Sequence, residues 1–291
     1  MTRTYKATGI NLKSAPIGES DRVLTVLTRE FGLIKAVAPG VRKQRSSIGG
    51  RSELFVVNEL LIAKGRSLDK ITQASTVESY PGLSRNLGKL CAAQYLAELA
   101  IASALSDEPQ EELFLLLGEH LSRLEGLSDR TEIQSAALLM AHLDQGIFHL
   151  LALAGLAPQV QVCCATRHPL NPNFSDPNWK TGFSIPSGGT FSLPELANLE
   201  AELSSQTGSF YRSASRSPQT SDSKHLTNFQ INAKELAALQ QLGSAELEEG
   251  ITDRTAWVAV ENILRQYAQY HLGCTIRSGS SIDSYLESFE F

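Results

Sequence analysis

Leu54-Phe55-Val56-Val57-Asn58-Glu59-Leu60-Leu61-Ile62-Ala63-Lys64, then Gly65-Arg66-Ser67, then Ile71-Thr72-Gln73-Ala74-Ser75-Thr76-Val77 reads as strand, turn and strand. β-Branched and long apolar residues fill both runs, and the Gly-Arg-Ser break supplies turn chemistry. Leu60 and Ile62 alternate with Leu61 and Ala63, so Leu60 and Ile62 should share one buried face. Toward the N-terminus the pattern repeats in Tyr5–Leu12, Val23–Thr28 and Leu33–Ala38. The breaks there are Pro16-Ile17-Gly18, Phe31-Gly32, Pro39-Gly40 and Gly49-Gly50. Five strands without a helical period between them predict a small closed barrel. A five-stranded Greek-key OB barrel is the commonest such object and often binds nucleic acid; an SH3-like barrel would read almost the same.

Beyond Tyr80-Pro81-Gly82 the period becomes helical. Leu87, Leu90, Cys91, Tyr95, Ala102 and Leu105 form one stripe, ended by Asp107-Glu108-Pro109. Leu113, Leu116, Leu117, His120, Leu121 and Leu124 form a second. Ile133, Ala136, Ala137, Met140, Leu143, Ile147, Leu150, Leu151 and Ala154 form a third, opened by Asp129 at capping-box spacing from Glu132 and closed at Gly155. Residues 156–192 read as irregular, with several prolines and Gly188-Gly189. Helix resumes at Ser192-Leu193-Pro194-Glu195, and again over Asn232–Leu242 and Asp253–Leu272, where Trp257, Val260, Leu264, Tyr267 and His271 share a side. Between them the Ser/Thr-rich tract 204–228 reads as a mobile loop.

The expected architecture is therefore α+β and multidomain. Residues 1–80 form a five-stranded OB-fold β-barrel, and 81–157 and 193–291 the two parts of an all-α helical bundle around an irregular insert, 158–192. No run of apolar residues approaches the eighteen a membrane-spanning helix needs, and Met1-Thr2-Arg3-Thr4-Tyr5-Lys6 lacks the apolar core of a secretory signal. The four cysteines are too few and too unevenly spaced for a disulfide framework, so a reduced, cytoplasmic setting is expected.

The overall charge of −5 hides a split. Residues 1–85 carry fourteen Lys and Arg against seven Asp and Glu, +7; the other 206 carry twelve against twenty-four, −12. The basic half peaks in Gly40-Val41-Arg42-Lys43-Gln44-Arg45-Ser46-Ser47-Ile48-Gly49-Gly50-Arg51, a loop with no acid. Lys64, Arg66 and Lys70 bracket the last hairpin, and Lys35 lies on the strand between the two runs. A solvated basic loop needs no partner, but two such runs on one small domain, opposite an acidic remainder, favour a polyanion. Lys35, Arg42, Lys43, Arg45, Arg51, Lys64, Arg66 and Lys70 are the candidate contacts. Large rings before residue 80 are limited to Tyr5, Phe31 and Phe55, so phosphate contact is expected to dominate over base stacking.

Gly18-Glu19-Ser20-Asp21-Arg22, Thr28-Arg29-Glu30-Phe31-Gly32-Leu33 and Gly40-Val41-Arg42-Lys43-Gln44-Arg45-Ser46-Ser47 with Gly49-Gly50 together resemble the N-terminal barrel of the bacterial RecO family of recombination mediators. The resemblance covers most of the chain and is strongest over residues 1–80. It implies an OB-fold with a helical domain, DNA repair, binding of single- and double-stranded DNA, and annealing of complementary strands. The implied partners are RecR, the C-terminal tail of single-stranded-DNA-binding protein and, indirectly, recombinase, in a nucleoid-associated cytoplasmic setting. Many members carry two C-x-x-C pairs in the insert, a zinc-ribbon arrangement. Here only adjacent Cys163-Cys164 stand at the first, and Thr190-Phe191-Ser192-Leu193-Pro194 follows Gly188-Gly189 where the second would be. Adjacent cysteines rarely both ligate, even with His168 nearby, so a degenerate ribbon without zinc is expected, packed by Phe174, Trp179, Phe183 and Phe191.

Other chemistries lack residues. No G-x-x-x-x-G-K-[ST] and no strand-linked G-x-G-x-x-G is present, and His120, His142 and His149 sit on helical stripes as core or boundary residues. Asp107, Glu108, Glu111 and Glu112 suit a helix start, and no acid–base pair or activated nucleophile is apparent. The protein is expected not to be an enzyme. An RNA-binding barrel protein of translation or RNA metabolism is the alternative, since phosphate contacts ignore the 2′-hydroxyl; a metal-dependent nuclease would need a carboxylate cluster. The end, Tyr285-Leu286-Glu287-Ser288-Phe289-Glu290-Phe291, is similar to the acidic docking tails of single-stranded-DNA-binding proteins, although plain packing on the bundle is the simpler expectation.

Overall fold

The computed structural model describes residues 4–43, 46, 48–127, 132–199, 201, 228–247 and 253–288. Arg45, the Asp129 cap, the tract over 204–227 and the terminal Phe289-Glu290-Phe291 lie outside them.

Alternation in the N-terminal strands closes a barrel. Its strands are β1 (Thr4–Ile17), β2 (Asp21–Thr28), β3 (Gly32–Ala38), β4 (Val56–Ala63) and β5 (Asp69–Ser79), in the closed order β1-β2-β3-β5-β4. A register shift between Asn11 and Lys13 lets the long β1 pair with β4 through its first half and with β2 through its second. Closure is made by a short parallel contact of β3 with β5, Ala36 opposite Asp69 and Val37 opposite Lys70. The interior holds Ala7, Leu24, Val26, Ala36, Leu60, Ile62 and Ile71, with Leu60 and Ile62 on the inner face as their alternation requires. β2 is buried on both sides over Leu24–Thr28, because Leu27 and its neighbours Ile10 and Leu12 join the core of the helical region instead.

That region is built on α1 (Leu87–Ser103), α2 (Glu111–Glu125) and α3 (Glu132–Leu153), followed by α4 over residues 193–199, α5 (Ala233–Gln241), α6 (Arg254–Leu272) and α7 (Gly279–Glu287). Asn86 caps α1 through the Lys89 N–H, and Asn232 and Glu235 form a capping box on α5. The stripe expected on α1 is corrected: Leu87 and Leu105 are exposed, while Cys91, Ala92, Ala93, Tyr95, Leu96, Ala97, Leu99 and Ala100 are buried. Small residues let neighbours close around the helix, so no single face marks it. Ser135–Leu153 of α3 is long and apolar enough to cross a membrane by composition, but 72% of it is buried within the protein as the central core helix.

Two further corrections concern the middle of the chain. The segment read as irregular contains β6 (Lys180–Ser184) and β7 (Gly189–Phe191), which pair with β8 (Asn228–Asn232) in the order β7-β6-β8. The second region is thus not all-helical; β8 is remote in sequence from its partner, so local patterning could not announce the sheet. Phe183 and Phe191 are buried there and Trp179 packs against the core, but Phe174 is 66% exposed. Phe183 meets Tyr267 edge-on, with 6.0 Å between ring centroids. This sheet organises the segment; its descent from a zinc ribbon rests on the resemblance.

The barrel is seated by the Arg29-Glu30-Phe31-Gly32-Leu33 corner. Leu33 N–H donates to Leu105 O (2.9 Å), Asp107 N–H to Phe31 O (3.0 Å) and Gln110 N–H to Arg29 O (2.9 Å). Arg29 pairs with Glu111 and lies over the Phe114 ring, 5.7 Å from its centroid. Gly32 has φ +63°, and a Cβ there would meet Leu105 O at 2.1 Å.

Candidate nucleic-acid interface

The basic loop begins where β3 ends. Gly40 takes φ +65°, and its N–H donates to Asp21 Oδ1 (2.8 Å), while Arg42 N–H donates to Ser20 O (3.0 Å). Successive bonds from Lys43 to Gly40, Ser46 to Lys43, Gly49 to Ser46 and Ser52 to Gly49 make a string of tight turns. Val41 and Ile48 turn inward against the barrel core. Over the described residues two apolar side chains thus anchor a ribbon whose Arg42, Lys43 and Arg51 are exposed. At its far end the buried side chains of Asn11 and Asn58 both donate to Arg51 O, at 2.7 and 2.8 Å. Asn11 also donates to Glu53 O (3.0 Å). Burial makes these amides committed clamps rather than solvated surface groups.

Lys35 lies exposed on β3, Lys64 just past the end of β4, Arg66 in the hairpin turn and Lys70 on β5. The parallel contact sets Lys70 opposite Val37. The Asp21 carboxyl is held below the usual aspartate range, first by the Gly40 N–H and the Ser20 hydroxyl and then by the charges of Lys43 and Lys70. One carboxylate thus senses a cation from each basic run. Lys35 and Lys64 share a second location, a cleft of about 630 Å³ lined also by Tyr5, Phe31, Leu33, Ile34, Leu68, Asp69, Ser106 and Asp107. Arg45 falls outside the described residues.

Some residues of this surface do not stand out in the sequence. Register puts Lys13, Thr25 and Lys35 in one row across β1, β2 and β3. Lys13 and Lys35 line a cleft of about 710 Å³ between the barrel and the helices, opposite Arg277 and Glu98. The strand register could have supplied Lys13; nothing local to Arg277 marks it.

Cys163 and Cys164 occupy a turn in which Cys163 N–H donates to His168 O (2.9 Å) and Arg167 N–H to Cys163 O (2.8 Å). Cys163 is buried, which raises its thiol; hydrogen bonds from Thr166, Ser192 and Ala165 outweigh that and bring it to about 7. Burial raises Cys164. Among the described residues no three His, Cys, Asp or Glu side chains gather as a metal site. His120 and His149 face each other, Nε2 to Nδ1 at 3.1 Å, as core and boundary residues. Burial first, and then neighbouring positive groups, bring His120 down to about 3.

These features define a protein with an OB-like five-stranded barrel, basic on its loop and hairpin, docked on a larger helical region. Residues 1–80 match the family description "Recombination protein O N terminal" and residues 84–216 "Recombination protein O C terminal". The chain belongs to the RecO family of DNA repair proteins. It is 54% identical to "DNA repair protein RecO" of a Nostoc species, covering 98% of this chain and 97% of that one. The identity is 51% with the protein of the same name from Trichodesmium erythraeum (99% and 96% covered) and 36% with that from Gloeobacter violaceus (97% and 93%). Those names specify DNA repair and no catalytic activity.

Proposed function

We propose that the chain acts in DNA repair as a non-enzymatic mediator. It binds single- and double-stranded DNA along the barrel, anneals complementary strands without nucleotide, and helps load recombinase onto strands covered by single-stranded-DNA-binding protein. Lys35, Arg42, Lys43, Arg45, Arg51, Lys64, Arg66 and Lys70 make the phosphate contacts, and RecR and the tail of single-stranded-DNA-binding protein are the protein partners. The setting is the nucleoid-associated cytoplasm. The observation that carries this reading is geometric: register sets Lys70 opposite Val37 and Val37 opposite Val23 of β2. Asp21, at the start of β2, accepts the Gly40 N–H, so the foot of the basic loop and the hairpin strand meet at one edge of the barrel. Cations brought together from separate strands form a surface that follows a phosphate backbone, with affinity falling steeply in salt. The acidic helical region is left for protein contacts.

No zinc is required in this reading. The insert offers Cys163 and Cys164 as adjacent residues with His168 nearby, short of the four well-spaced ligands that a tetrahedral structural zinc takes. Stoichiometric zinc in protein purified without added metal would overturn that part. Annealing of complementary oligonucleotides, with and without single-stranded-DNA-binding protein and across a salt series, tests the main reading. Nucleotide-independent annealing that fades with salt is expected; failure to bind either strand form at low salt would refute it.

A further inference from the structure

We propose that the cleft beneath Lys35 and Lys64 is a seat for one unpaired nucleobase, so that the barrel reads single-stranded DNA by stacking as well as by charge. The inference rests on the barrel being the DNA interface and adds to it a site and a substrate form. The cleft, about 630 Å³, falls in the general size range of small-molecule sites and has room for a base with its sugar. Two rings line it: Tyr5 and Phe31 meet edge to face, 4.8 Å between centroids with planes at 69°. Both are partly buried, packed on the barrel core, and therefore held in place.

The charges in the cleft are sorted as a nucleotide requires. Asp69 and Asp107 line it beside the rings, which disfavours a phosphate there. Asp69 Oδ2 accepts the Tyr5 hydroxyl at 2.5 Å, and Asp69 Oδ1 accepts the Gly65 N–H at 2.9 Å, fixing both ring and hairpin turn. Lys35 and Lys64 are exposed and available to flanking phosphates. Lys64 Nζ lies 5.9 Å from the Tyr5 ring centroid, a cation resting on a π face. A base entering against Tyr5 replaces that ammonium on the ring and releases it toward the adjacent phosphate. A base inside a duplex is stacked on its neighbours and cannot enter, so the seat serves single strands alone.

By sequence alone, three rings are too few for stacking to matter. The fold changes this by bringing Tyr5 of β1 beside Phe31 of the β2–β3 turn, twenty-six positions away. Ser106 and Asp107, from the segment after α1, close the other side.

The test compares oligothymidylate, an abasic oligonucleotide of equal length and a duplex, with the full chain and its Tyr5→Leu, Phe31→Leu and Tyr5→Phe variants. Stacking on one aromatic side chain corresponds to roughly tenfold in affinity. Tyr5→Leu and Phe31→Leu are expected to lose about that factor for oligothymidylate. Their affinity for abasic strand and duplex, and the slope of log affinity against log salt, should be unchanged. Tyr5→Phe keeps the ring and should keep the affinity. On the unaltered protein, 2-aminopurine placed in the strand should be quenched on binding, a readout independent of whether a variant folds. An equal loss for abasic and normal strands, or no 2-aminopurine quenching, overturns the seat while leaving the barrel as the interface. Absence of binding to every strand overturns the interface itself, and the seat with it.

Discussion

The carboxylate of Asp21 accepts the backbone N–H of Gly40 at 2.8 Å, tying the first residue of β2 to the first residue of the basic loop. This gives Asp21 two opposed influences on DNA. It holds the loop's stem, and it places a negative charge beside Lys43 and Lys70.

Asp21→Asn separates these influences. The amide oxygen can still accept the Gly40 N–H, while the charge is gone. Affinity for single-stranded oligonucleotide should rise about two- to fivefold at low salt and return to the parent value at high salt, as expected for one exposed charge. Asp21→Ala removes the acceptor as well and should lower the thermal midpoint. Identical behaviour of the two variants in binding and melting would contradict this division of roles.

Replacing Arg42 and Lys43 together with Ala leaves Val41 and Ile48 in place as the loop's apolar anchors. On single strands the log–log salt slope should then flatten by about 0.7 for each phosphate that the variant no longer neutralises. Circular dichroism should be unaltered, because neither exposed side chain supports the barrel. A slope equal to that of the parent would move the binding face elsewhere.

Gly32→Ala strikes the seam between the two regions. Gly32 sits at φ +63°, where an L side chain is strained, and its Cβ would lie 2.1 Å from Leu105 O. Strain of this kind costs about 1–3 kcal/mol before the clash is counted, and relieving the clash must loosen the Leu33 to Leu105 hydrogen bond. A clear drop in the thermal midpoint is expected, with faster proteolysis between α1 and α2. A variant as stable as the parent would show that the corner does not seat the barrel.

The barrel is legible in the sequence because its signals are local: alternation along β4 and turn residues between strands report on a few neighbouring positions. Helices with one apolar stripe, such as α2 and α6, are legible for the same reason. α1 is not legible in detail because Ala92, Ala93, Ala97 and Ala100 bury it on several sides, leaving no polar face to set the phase. β6 and α7 escape for different causes. β6 depends on a partner at Asn228–Asn232, and α7 offers Ile282 and Leu286 as its buried apolar side chains amid serines. At the candidate site, the basic residues stand out by composition. Their grouping around Asp21, the Asn11 and Asn58 clamps on Arg51, and the Tyr5–Phe31 cleft depend on strand register. The motif corners also change meaning: Asp21 and Gly32 hold the loop and the seam.

A last prediction concerns the core of the helical region, where Asp144 on α3 is fully buried. Its carboxyl is pushed well above the ordinary aspartate range, first by burial and then by the charge of Glu261, with Arg265 opposing. Glu261 and Arg265 pair at 2.7 Å, and Arg265 also holds Asp283 at 2.6 Å, so the guanidinium is engaged by two other carboxylates. With its folded pKa raised, Asp144 supports the fold fully below its unfolded value, near pH 4, and that support is lost as pH rises through the folded value. Asn has the shape of the protonated acid and does not titrate. Asp144→Asn should therefore melt close to the parent near pH 4 and progressively above it toward alkaline pH. Thermal melts at a series of pH values, at constant ionic strength, read this directly. A difference that stays constant with pH, or that shrinks as pH rises, would mean that Asp144 is ionised and paired in the folded protein.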